Sequence, residues 1–319
     1  MAAEDGGARK DFFVQHVEVH AELKEIIKES VISNTDVRIE ITDEQVTVPG
    51  QSKPVIEPKF KPSGQPLEIG LVQFLLDNGE DINQSFITRN KFAPKILQLP
   101  FSQELKRKVV IRQVAGDPTL VRIYVKGAPE EVLKLCTQTL DQNAQPIQFL
   151  NDAKEGQLMQ KQDGNPDEKN IWSMAADGLK VISYAFKEIE TAELDRLFQS
   201  YSDESDEFRW ELEQDLIYLC TFGMEDPCRV GLRGHVQKLR YGKEYGDVND
   251  IPSSDSRNNQ VNVRLLTGDH VETARRAGLE SGIITASESM EGGCVMHADE
   301  LREQLEGYTK TWDPVKSQF

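Results

Sequence analysis

Cysteine is scarce in this chain, and Cys136, Cys220, Cys228 and Cys294 form no CxxC pair. Four scattered thiols exclude a disulfide-stapled scaffold and fit a reducing compartment. Long apolar runs are absent too. No segment approaches the roughly 20 consecutive apolar residues of a membrane helix, and "MAAEDGGARK" at the start carries no apolar signal core. Direct membrane insertion and secretion are therefore not expected, and a cytosolic place is. Basic residues are in deficit, with 37 Lys and Arg against 54 Asp and Glu, a formal charge of −17. Such a surface repels nucleic acid, and any pocket for a polyanion must place its cations locally.

At 319 residues the chain has room for one large or two ordinary domains. Residues 1–12 are small, charged and Gly-containing, and read as a disordered lead-in. "VEVHAELKEIIKESVIS" (17–33) has helical apolar spacing at Val19, Leu23, Ile26, Ile27 and Val31. Short strands are expected at "VRIEI" and "QVTVP". Pro66 then opens a helix whose inward face is Ile69, Val72, Leu75 and Leu76, with Gly79 ending it. "KVVIRQV" (108–114) and "TLVRIYV" (119–125) flank "AGDP" and read as a hairpin. Pro129 is placed as the first residue of a helix with Glu130 and Glu131 in its first turn. "LKVISYAFKEI" (179–189) is a third strand, and 200–215 is an acidic, solvated face or loop. Beyond residue 222 the pattern changes. "VGLRGHVQKLR" reads as a helix, 241–260 as a long polar loop, and "VNVRLL" as a buried parallel strand. A helix follows at once, with Asp269 and Glu272 as its capping box and Gly282 closing it. No internal repeat is present.

"RIYVKGAPEEVLKLC" (122–136) has two readings. A tight strand-to-helix turn built by Gly127 and Pro129 explains it in full. A nucleotide pocket explains it as well, since Gly127 leaves room for a close ligand and Lys126 reaches a phosphate or a base edge. The order of motifs bears on the choice. "GQPLEIGLVQFLLD" (64–77), "LPFSQELKRK" (99–108), "YVKGAPEEVLKLC" (124–136), "MAADGLKVISYAF" (174–186), "FGMEDPCRVGL" (222–232) and "VRLLTGDHVETARRAGLESGII" (263–284) follow one another. In that order they resemble the cytoplasmic nucleotide-binding domain of P-type cation-transporting ATPases, and most of all the plasma-membrane calcium pumps.

The resemblance implies an α/β (α+β) fold. Residues 13–221 would be an antiparallel sheet flanked by helices, an ATP-binding N domain. Residues 222–319 would be a truncated Rossmann-like, HAD-like remnant of the phosphorylation (P) domain. It also implies a site. Phe101 matches the ring that stacks on adenine, and Glu68 the carboxylate that accepts from the adenine amino group. Read without the resemblance, these are an ordinary strand-start Phe and an ordinary helix Glu. Lys106, rather than Lys108, and Lys126 match the two pocket lysines, with Gly127 and Ala128 as the floor. Lys180 stands where the family has an Arg on the phosphates, and a Lys lacks that bidentate fork. Asp226, Pro227 and Arg229 match the interdomain hinge, and Thr267, Gly268 and Asp269 the loop beside the transferred phosphate.

The aspartyl-phosphate motif Asp-Lys-Thr-Gly-Thr and the Mg²⁺-binding Gly-Asp-Gly-x-Asn-Asp loop do not occur in the sequence. Without nucleophile or metal ligands the chain by itself is not expected to hydrolyse ATP. The implied cofactor is ATP, with Mg²⁺ arriving only on the nucleotide. Three accounts stand open. The chain is a piece of a calcium-pump-type ATPase whose partner is the rest of the pump. Or it is a complete, degenerate descendant that serves as a nucleotide-sensing or structural subunit of a large assembly. Or it is a metal-stabilised module, with Cys294-x-x-His297 completed by Cys220 and Cys228.

Overall fold

The apolar spacing from Leu23 to Val31 forms α1 (Ala21–Ser33). The computed structural model describes residues 20–46, 55–158, 170–203, 205–243 and 261–305, so the expected lead-in and most of the polar loop at 241–260 lie outside the described residues. β1 (Arg38–Val46) and β2 (Val55–Ser63) then pair antiparallel as a separate two-stranded sheet. The two short strands expected here are thus one strand as far as Val46.

Next come α2 (Pro66–Asp77), α3 (Ile82–Phe92), β3 (Lys95–Ser102), β4 (Arg107–Val114) and β5 (Asp117–Gly127). The β4–β5 connection is tighter than "AGDP", because Asp117 already pairs with Val114. Pro129 opens α4 (Pro129–Leu135) with Ala128 as its extended N-cap residue. Beyond it lie β6 (Cys136–Leu140), β7 (Pro146–Gln148), α5 (Asn151–Leu158), α6 (Ile171–Ala176) and β8 (Lys180–Glu190). α7 (Thr191–Ser200), α8 (Asp206–Glu213) and β9 (Leu216–Met224) follow. The last elements are α9 (Leu232–Tyr241), α10 (Val271–Ser281), α11 (Ala286–Met290) and α12 (Ala298–Leu305).

Seven strands form one sheet in the order β3-β4-β5-β8-β9-β6-β7. β3, β4, β5 and β8 pair antiparallel, but β6 runs parallel to β9, so the sheet is mixed. Strand alternation gives it two unlike faces. On one face Val109, Ile111, Val121, Ile123, Val125 and Ala185 pack with Val132 and Leu135 of α4, Leu194 of α7, and Phe208 and Leu212 of α8. On the other face Lys108, Val110 and Arg112 of β4 stand opposite Lys126, Tyr124 and Arg122 of β5, which stand opposite Tyr184, Phe186 and Glu188 of β8. α1 and α2 bond to this polar-studded face, through Glu29 to Tyr124 Oη and Glu68 to Lys126.

Three further local expectations change. The buried residues of α2 are Glu68, Leu71, Val72 and Leu75, while Ile69 and Leu76 are half-buried. The Glu68 ion pairs turn the helix so that a carboxylate, not Ile69, faces the sheet. Residues 200–215 are not a solvated loop. Ser205 caps α8 by accepting from Phe208 N, and Phe208, Leu212 and Glu213 are buried. "VNVRLL" forms no strand, and Leu266 is 92% exposed. Val261 N donates to Leu239 O (3.1 Å), but no ladder continues from it. An apolar run becomes a strand only where a neighbouring backbone accepts its hydrogen bonds.

The chain divides into two compact units, residues 1–154 with 183–221, and residues 155–182 with 222–319. In the second, α10 packs on α6, α9 and α11. Thr273 Oγ1 donates to Leu179 O (2.9 Å). Gly178 (φ +87) lies beneath Arg276, where a Cβ would come within 2.6 Å of Cγ.

Candidate functional site

Glu68 occupies the first turn of α2, where Pro66 starts the helix and negative charge complements its dipole. Its carboxylate is 5% exposed and surrounded by donors. Lys126 Nζ (2.5 Å) and Lys108 Nζ (3.5 Å) approach Oε1. The Asp36 amide (2.9 Å) and Thr35 Oγ1 (3.2 Å) donate to Oε2. Lys108 and Lys126 face each other directly across β4 and β5, so Glu68 neutralises a like-charged pair. Asp36 takes the other side of Lys108 at 2.5 Å, and Gln98 Nε2 donates to it.

The charge states follow from these contacts. Burial alone would raise the Glu68 carboxyl, but Lys126, the Asp36 amide and Lys108 outweigh it and hold it below the ordinary range. Burial of Asp36 is outweighed in the same way, mainly by Lys108. For Lys126 burial prevails over Glu68 and draws the ammonium down to about 8. Tyr184, opposite Lys126 on β8, is wholly buried, and burial raises its phenol well above the usual value.

Two further cations brace the segment between α1 and β1. Arg89 Nη1 donates to Ile32 O, and Arg112 Nε to Ser33 O (3.1 Å), meeting the carbonyls at the C-terminus of α1. Burial and then the neighbouring Arg112 pull Arg89 down to about 10. Thr35 and Asp36 are thereby brought to Glu68.

Phe101 lies at an irregularity of β3. Leu99 pairs with Val109 and Ser102 with Arg107, so β3 carries one extra residue between them. Such a bulge re-aims a side chain. It sets Pro100 and Phe101 together opposite Lys108, at the edge of the row formed by Lys108, Lys126 and Tyr184, and Phe101 is 50% exposed. Pro100 beside it is tolerated because β3 ends the strand order. Lys106 stands on the turn after β3 at φ +49. Its carbonyl accepts from Ala128 N (2.9 Å). Gly127 is required there, since a Cβ would come 2.4 Å from Lys106 O. The structure therefore joins Glu68 to Lys126, sets Phe101 by register opposite Lys108, and clips Ala128 to Lys106 beside Gly127. It puts Lys108, not Lys106, against Glu68.

The remaining sequence-predicted residues belong to the second unit. Lys180 Nζ meets Asp226 Oδ2 at 2.6 Å. That bond raises its pKa against some burial, and Asp269 adds to the rise. Pro227 and Arg229 follow Asp226 in the stretch between β9 and α9. Thr267, Gly268 and Asp269 precede α10, and Asp269 N donates to Thr267 Oγ1 (3.1 Å). Asp269 is not the N-cap. His270 is, accepting from Glu272 N at Nδ1, and Glu272 is then only two residues along. Among the described residues, capping boxes are present at Asn170 with Ser173 and at Thr285 with Glu288.

Among the described residues no group of three or more His, Cys, Asp or Glu could hold a metal ion, so Cys294 and His297 gain no further ligands. All four cysteines are free thiols. No motif in the sequence marks Thr35, Asp36 and Tyr184 as site residues, and Lys108 joins them only through strand register. The available signal was the alternation of Lys108, Val110 and Arg112, which places all three on one face of β4.

A family model described as P-type ATPase, cytoplasmic domain N, matches residues 22–231. Calcium-transporting ATPase 10, plasma membrane-type, of Arabidopsis thaliana is 31% identical over 225 residues, 70% of this chain and 17% of that protein. Calcium-transporting ATPase 9, plasma membrane-type, of the same plant is 28% identical over 302 residues, 94% of this chain and 23% of the relative. Plasma membrane calcium-transporting ATPase 4 of Homo sapiens is 25% identical over 236 residues, 72% of this chain and 16% of its own length. The chain thus spans about a fifth of the length of these curated relatives. Among the described residues no helix is long and apolar enough to cross a membrane. A model match over 22–231 and a relative above 30% identity across 70% of the chain assign this protein to the P-type ATPase cytoplasmic domain N family.

Proposed function

We propose that the first unit binds ATP on the polar face of its sheet. The observation that carries this reading is the bulge before Ser102, which sets a half-exposed Phe101 in register opposite Lys108, next to the Lys108, Lys126 and Glu68 ion pairs. The donor set fits a nucleotide. An exposed ring offers stacking worth about 1–3 kcal/mol, by analogy with base–aromatic stacking. Lys106 and Lys126 supply cations for phosphates inside an otherwise anionic molecule, and Mg²⁺ arrives with the nucleotide. Both oxygens of Glu68 already serve donors of the chain, so an adenine amino group must displace one of them, and Lys126 is the partner a phosphate would draw away. The names of the relatives support a role within a calcium-transporting ATPase, with the rest of such a pump as partner.

The test is a calorimetric titration with ATP, with and without Mg²⁺, on the wild-type chain and on Lys126→Ala and Phe101→Ala. Saturable binding weakened several-fold in each variant is expected. No binding at millimolar ATP, or unchanged affinity in both variants, would overturn the assignment.

A further inference from the structure

The turn that carries Phe101 and Lys106 is anchored by groups remote from Glu68. Glu213, the last residue of α8, is 0% exposed and stands between two guanidinium groups. Arg107 Nε donates to its Oε2, and Arg209 Nε to its Oε1 at 2.6 Å. Both arginines also reach the turn's backbone. Arg107 Nη1 donates to Leu105 O (3.2 Å) and Arg209 Nη2 to Arg107 O (3.4 Å). The turn closes on itself as Lys106 N donates to Ser102 O (2.7 Å) and Leu105 N to Ser102 Oγ (3.3 Å). Within it Lys106 is held left-handed, a conformation that persists only where surroundings over-determine it.

A carboxylate buried between two arginines is no economical way to stabilise a fold, since apolar residues of similar volume do as well or better. Its use beside a strained turn points to orientation as the gain. We infer that Arg107, Glu213 and Arg209 are positioning residues of the nucleotide site, holding the 102–107 turn so that the Phe101 ring is set to receive a purine base. This rests on the ATP reading and deepens it. The side-chain hydrogen bonds of Arg209 and Glu213 on α8 run to Arg107 and the turn rather than to Glu68, so their influence on binding is read through the turn.

The experiment is a double-mutant cycle on the full chain, read as ATP affinity by calorimetry. Wild type, Phe101→Ala, Glu213→Gln and the double variant are compared, and Lys126→Ala replaces Phe101→Ala in a control cycle. Coupling is expected: Phe101→Ala weakens ATP several-fold in the wild type but by less than about twofold beside Glu213→Gln, whereas Lys126→Ala keeps its full effect in both backgrounds. Should Glu213→Gln fail to fold, Arg209→Met, at a side chain 15% exposed, carries the same cycles. In the ligand-free protein the Lys106 and Ala128 amides should exchange with solvent about tenfold faster in the anchoring variant than in wild type. ATP binding with independent effects of the two substitutions, or unchanged exchange, would overturn the positioning role alone. A wild-type chain that binds no ATP would overturn the nucleotide reading itself, and the purine-positioning role with it, whatever the exchange shows.

Discussion

Glu68 is an anion with every oxygen engaged, and that shapes what a substitution there does. Glu68→Gln leaves Lys126 and Lys108 facing each other in a buried site with one counter-charge removed. A loss of about 3–5 kcal/mol is expected, read as a lower urea midpoint at pH 7. An unchanged midpoint would show the ion pairs to be dispensable. The pH dependence has two parts. The folded-state pKa of Glu68 lies below its ordinary 4.5, so its contribution is complete above that value and is lost as pH falls through the folded pKa. Lys126 is displaced downward, from 10.5 to about 8, so between those values the unfolded chain holds a proton that the folded one lacks. Stability should therefore rise with pH across that window, and Lys126→Met should flatten the rise. A wild-type slope identical to the variant's would remove the shifted lysine. At this scale the sequence shows residue types and hides partners. Lys106 and Lys108 are equally basic in "LKRK", and only the β4 register sends the second to Glu68.

At the scale of elements, α8 marks where charge composition misleads. "SDEFRWELEQD" is dense in acid, yet the spacing of Phe208 and Leu212 gives one apolar stripe that seats on the sheet. Phe208→Ala should cost about 3–5 kcal/mol, whereas Trp210→Ala, at a residue 65% exposed, should fall within about 0.5 kcal/mol of wild type. Chemical denaturation of both variants checks this, and equal effects would mean that α8 does not pack as described. Elements with local signals match their expectation: Pro66 and Pro129 open helices, and Gly282 closes one. α3 carries weak apolar patterning and is visible only once folded, whereas Leu194, Leu197 and Phe198 of α7 recur at helical spacing and form a legible signal. "VNVRLL" fails the other way, because strand existence depends on a partner the run itself does not encode.

For the molecule as a whole, a formal charge of −17 makes self-repulsion a standing cost. Raising sodium chloride from about 0.02 to 0.3 M should raise the thermal midpoint, since the Debye length falls below about 10 Å above 0.1 M. A midpoint that falls would show that attractive surface pairs outweigh the repulsion. Solubility should be least near pH 4.8, the sequence isoelectric point. The amino-acid sequence alone determined the α/β class, the openings of α2 and α4, the close of α10, the hairpin and the resemblance that the family model bears out, because caps, prolines and alternation act within a few residues. The tertiary structure decided the rest. It selected Lys108 for Glu68, set Phe101 opposite Lys108 by a one-residue bulge, buried Glu213 between Arg107 and Arg209, and left 261–267 without a ladder. Each of those outcomes depends on strand register or on contacts between residues far apart in sequence, and such contacts exist only after the chain has packed.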